Sequence, residues 1–103
     1  MKPIGTVIVN RELNNMQMII SYYPTNKENG KRYQYLTCLY PLGFTTDLPV
    51  CFVNEEDIEL IAHTGLETVD FDNFAKALDE YIKTESSNEN IEREIDMSQF
   101  TEL

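Results

Sequence analysis

The sequence has no tryptophan, one histidine and two cysteines, and its four glycines stand singly. Without a glycine-rich run there is no loop of the kind that cradles phosphate. With His63 alone, any Ser–His or Cys–His nucleophile would have to use it, and period-two alternation puts His63 near a strand end. Cys38, Cys51 and His63 fall one ligand short of a tetrahedral zinc site. Two cysteines in a chain long enough to bury a core do not make a disulfide framework. No stretch approaches the ~20 apolar residues of a membrane span. The start, Met1-Lys2-Pro3-Ile4-Gly5, leads straight into a strand-like run without a signal-peptide pattern, so a cytoplasmic protein is expected.

Basic residues are also scarce. Against 18 acids there are 8 Lys and Arg, for a formal charge of −10. The imbalance is local. Met1–Val53 carries five basic and three acidic residues, whereas Asn54–Leu103 carries three basic and fifteen acidic ones. Phosphate backbones are held by Lys and Arg, so the acidic half argues against nucleic acid. It argues equally against an anionic membrane surface. It suits a solvated face, or steering toward a basic protein surface.

At 103 residues the chain suits one domain. The first half reads as strands. Ile4–Val9 is β-branched and apolar. Asn14-Asn15 marks a turn. From Met16 to Tyr23, alternation places Met16, Met18, Ile20 and Tyr22 on one face. Asn29-Gly30 signals a hairpin before the next strand, Arg32–Tyr40. There, Tyr33, Tyr35, Thr37 and Leu39 share a face opposite Gln34, Leu36, Cys38 and Tyr40. Pro41-Leu42-Gly43 ends it. Val50–Val53 is a fourth strand, Asn54–Asp57 a turn or single helical turn, and Ile58–His63 a fifth strand.

The period then changes. Phe71, Phe74, Ala75, Leu78, Tyr81 and Ile82 recur at helical spacing, predicting a helix over Asp70–Lys83 with Asp70 as its N-cap. After Thr84 the composition turns polar and acidic. Residues 1–84 are expected to form one globular domain, and residues 85–103 an acidic tail. That tail is either frayed or ordered on a partner or on a second copy of the chain.

No residue cluster points clearly to chemistry. Glu55, Glu56, Asp57 and Glu59 gather carboxylates but lack the alternating pattern and glycine of a calcium loop. Asp70-Phe71-Asp72-Asn73 also lacks that glycine. Mid-strand Cys38 and Cys51 read as small hydrophobes. No cofactor or metal is expected. The aromatics stand out instead, six Tyr and five Phe. Tyr22, Tyr23, Tyr33, Tyr35 and Tyr40 crowd onto two neighbouring strands, where they serve cross-strand pairing or an interface. With Phe100 in the tail, they are the candidate partner-binding residues.

Pro3-Ile4-Gly5-Thr6-Val7, Met18-Ile19-Ile20, Cys38-Leu39-Tyr40-Pro41-Leu42-Gly43, and Phe52-Val53-Asn54 through Asp57-Ile58 resemble the signature blocks of a small domain-of-unknown-function family, four-one-seven-six in that series. The blocks run in order from about Pro3 to Lys83. The chain departs at Asn14-Asn15, where members often have Gly and Lys. Members of that family look like accessory proteins of type VII secretion loci in Gram-positive bacteria, beside LXG-type toxin genes. The resemblance implies a protein partner, a secreted toxin, and supplies no catalytic residues.

The expected fold is α+β: about five antiparallel strands in a bent sheet or small open barrel, followed by a helix packed on the sheet. The expected function is a non-enzymatic adaptor or chaperone that binds an LXG-type toxin before export. The alternative is an immunity protein that neutralises the toxin. An enzyme built on His63 or the Glu55–Glu59 carboxylates is the weakest reading.

Overall fold

The computed structural model describes residues 1–87, with side-chain environments through Glu85. Five antiparallel strands form one open sheet: β1 (Val7–Asn10), β2 (Met16–Tyr22), β3 (Tyr35–Leu39), β4 (Cys51–Val53) and β5 (Ile58–His63). A helix, α1 (Val69–Ser87), follows. The strand order is β4-β3-β2-β1-β5. The connection from β4, through the 3₁₀ turn Glu55–Asp57, therefore carries the chain from one sheet edge to the other. Two compact units result: Met1–Thr68 holds the sheet, and a second beginning at Val69 holds the helix.

Local chemistry explains the turns. Asn10 is the last residue of β1, and its side-chain oxygen accepts from the amides of Glu12 and Leu13 at 3.0 Å each. Such Asx geometry reverses the chain without a partner strand. Asn14 sits at φ 54°, a left-handed conformation that asparagine tolerates better than most residues. Gly30, at φ 72°, closes the β2–β3 connection as the Asn-Gly pair predicts. The first strand starts later than the apolar run suggests because Gly5, at φ 89°, turns the chain before Val7.

One sheet face carries the main apolar cluster. Ile8, Ile19, Tyr35 and Val53 are buried together, with Tyr22, Cys51 and Ile58 packed against them. Tyr22 is not where simple alternation puts it. Ile19 pairs with Thr37 and Tyr22 with Tyr35, so three steps along β2 match two along β3. The extra residue is a β-bulge, which rotates the strand and brings Tyr22 to the Ile19 face. Met16 and Met18 remain on the opposite face with Val7.

The core also holds a polar pair. Gln17 and Thr37 are fully buried, and the Thr37 hydroxyl donates to Gln17 Oε1 at 2.7 Å. Gln17 Nε2 in turn donates to Asn15 Oδ1 at 2.7 Å. Buried polar groups persist only when partnered in this way.

Helix α1 starts one residue before the predicted span, so Asp70 lies inside the first turn with Asp72. Negative charge is favourable there, against the free amides of the helix start. Its Phe71, Phe74, Ala75, Leu78, Tyr81 and Ile82 stripe is half-buried, while Asp72, Asn73, Lys76 and Glu80 are exposed. Among the described residues no helix is long and apolar enough to cross a membrane.

Candidate functional site

The strand tyrosines divide into different environments. Tyr35 is 1% exposed and belongs to the core, so its ring has no surface to offer a partner. Alternation pairs Tyr35 with Thr37 correctly but says nothing about which face is inward. Tyr22 is half-buried and tilted against Tyr35, ring centroids 6.0 Å apart. Tyr23 is half-buried at φ 52°. Tyr33, also half-buried, packs on Phe52 at 5.5 Å between centroids. Of the five, Tyr40 is the exposed one, at 48%. Phe100 lies outside the described residues.

Tyr22 and Tyr35 tie down the N-terminal segment. The Tyr22 hydroxyl donates to the Lys2 carbonyl at 2.6 Å, and the Lys2 amide donates to the Tyr35 hydroxyl at 3.0 Å. Tyr35 in turn donates to Glu55, which also pairs with the Lys2 ammonium. Burial pushes the Tyr22 phenol up to about 12. Tyr35 is pushed higher still, by burial first and by its bond to Glu55 second. For Glu55, burial raises the carboxyl, but hydrogen bonds from Lys2 and Tyr35 outweigh it and leave the pKa lowered.

The remaining carboxylates of the Glu55–Glu59 stretch mostly hold the fold together. Asp57 accepts from the Asn54 amide at 2.9 Å and closes the 3₁₀ turn. Glu59 pairs with Arg11 at 2.8 Å. Glu56 is exposed. Among the described residues no three His, Cys, Asp or Glu side chains are placed to hold a metal ion.

Among the described residues, open grooves flank the sheet. One is lined by Val7, Met16, Met18, Tyr40 and His63 on the face away from the core. Another, of about 490 Å³, is lined by Asn10, Asn26, Asn54, Glu12, Glu56 and Asp57, over Leu13, Tyr33, Cys51 and Phe52. His63 is in the first, and Cys51 and Asp57 are in the second. His63 is thus on a different face from Cys51 and Asp57. Cys38 and Cys51 are both free. Cys51 pairs with Thr37 across β3–β4, so its neighbour Cys38 points to the opposite face. Burial also pushes the Cys51 thiol up, away from the thiolate form that nucleophilic chemistry needs.

A different feature was missed in the pattern reading. The β3–β4 connection exposes Leu42 at 61% and Phe44 at 65%, next to exposed Tyr40. Their strand-breaking neighbours Pro41 and Gly43 were the legible signal, because apolar residues in a turn have no sheet face to join.

Residues 1–74 match the model of a family described as Domain of unknown function (DUF4176). No curated protein and no solved structure matches the chain.

Proposed function

The chain belongs to the DUF4176 family, and on that membership we propose that it is a non-enzymatic accessory protein, a chaperone-like adaptor that binds an LXG-type toxin of a type VII secretion system before export. The observation that carries this reading is the exposed apolar segment Tyr40, Leu42 and Phe44. Apolar side chains grouped on a surface connection favour burial against another protein. The acidic balance of −10 supports a protein partner over a nucleic acid or an anionic membrane.

The test is copurification of the tagged chain with the toxin encoded beside it. A stable complex at micromolar concentration is expected, and Leu42→Asp with Phe44→Asp should weaken it while leaving the melting temperature unchanged. Absence of a complex removes the adaptor reading. Binding confined to the toxin's C-terminal part, with rescue of growth in cells making the toxin, replaces it with an immunity role.

A further inference from the structure

The groove between β4 and the β1–β2 turn presents hydrogen-bond donors that the fold itself does not use. Asn10, Asn26 and Asn54 all line it. Each gives its side-chain oxygen to backbone amides. Asn10 accepts from Glu12 and Leu13 at 3.0 Å, Asn26 from Glu28 at 2.9 Å, and Asn54 from Gln34 at 3.0 Å. A carboxamide has two further donors on its nitrogen. Among the described residues none of the three Nδ2 groups has an acceptor. Asn10 is 6% exposed and lines the groove.

The rest of the lining narrows the ligand. Glu12, Glu56 and Asp57 are acidic, and no Lys or Arg lines the groove. An anion that accepted from the asparagines would meet these carboxylates, so the acceptors must be neutral, as peptide carbonyls are. The carboxylates call for a cation. Tyr33 and Phe52 form a tilted aromatic pair in the same lining. A guanidinium satisfies both demands, because it donates in a planar fork to carboxylates and lies favourably over aromatic rings. A volume of about 490 Å³ accommodates one long side chain with its flanking peptide units.

We propose that this groove binds an arginine-bearing extended peptide segment of a partner protein. The guanidinium lies between Glu12 and Glu56 over the Tyr33–Phe52 pair, and the flanking carbonyls accept from the asparagine amides. The site is separate from the Tyr40–Phe44 segment, and it stands whatever the partner's identity.

The asparagine side-chain amides give separate signals in a nitrogen–proton correlation spectrum, so binding can be read at the three groups directly. The full chain is titrated with acetyl-Gly-Gly-Arg-Gly-Gly-amide. The Asn10, Asn26 and Asn54 side-chain signals should move together and saturate with a dissociation constant on the order of 1 mM, ordinary for one anchored side chain. Glu12→Gln combined with Glu56→Gln should weaken binding about tenfold, with the backbone spectrum otherwise retained, since each removes a charged acceptor at an exposed position. The same peptide with Glu in place of Arg should leave the three signals still. The proposal is overturned if the arginine peptide leaves them unmoved at about 10 mM, roughly ten times that constant. It is overturned equally if the Glu peptide or N-acetylglucosamine shifts them as far, or if the double variant binds as tightly as the native chain.

Discussion

Gly65 lies against the Ile4–Thr6 segment, and its amide donates to the Thr6 hydroxyl at 3.0 Å. A methyl group at position 65 would overlap the Ile4 carbonyl oxygen and come within 2.9 Å of the Thr6 nitrogen. Both atoms are backbone, so neither can swing aside as a side-chain tip would. Gly65→Ala should therefore destabilise the sheet unit by about 1–3 kcal/mol, the usual cost of overpacking. Urea denaturation checks this; an unchanged midpoint would show that the close approach does not hold in solution.

The buried Thr37–Gln17 pair makes a second prediction. Thr37→Val keeps the shape but removes the proton that Gln17 Oε1 accepts at 2.7 Å. With Gln17 fully buried, the orphaned oxygen should cost about 1–3 kcal/mol. Denaturant titration of the variant measures that loss.

Acid should weaken the tie between Lys2, Tyr35 and Glu55. Glu55 has a lowered pKa in the folded protein. Its contribution is therefore complete above the ordinary carboxylate value of about 4.3, and it is lost as pH falls through the lower folded value. Glu55→Gln removes that dependence. The native chain and the variant should converge in stability below that range and differ most above it, as read from denaturation midpoints across the acid range.

Alkali should act in the opposite sense. Tyr22 is raised from 10.0 to about 12 and Tyr35 is raised further, both chiefly by burial. The unfolded chain loses these protons first, so stability present below about 10 falls as pH climbs through the folded values. Two of the tyrosines should ionise late in an ultraviolet titration of the folded protein, and Tyr22→Phe should remove one of them.

Much of the architecture was legible because it follows from local pattern. Alternation and turn residues marked five strands, and β5 spans Ile58–His63 as expected. The helix showed itself through the apolar stripe from Phe71 to Ile82. Tyr22 escaped because a bulge leaves no mark in an alternating string. Ile19 and Tyr22 share a face only through an uneven pairing with β3. Tyr35 escaped for another reason. Both faces of β3 carry apolar residues, so the string Tyr35-Leu36-Thr37-Cys38 does not say which side meets the core.

Local chemistry along the chain thus dictated the strands, the helix and the reversals, because backbone dihedral preference and apolar spacing act over a few residues. Pairing between distant segments assigned the roles. The groove asparagines show why: Asn10, Asn26 and Asn54 are far apart in sequence and each reads as an ordinary turn residue. They line one groove because β1, the β2–β3 connection and the end of β4 meet across the sheet. The bond from the Gln34 amide to the Asn54 side-chain oxygen is one such long-range pairing, and no short stretch of sequence contains it.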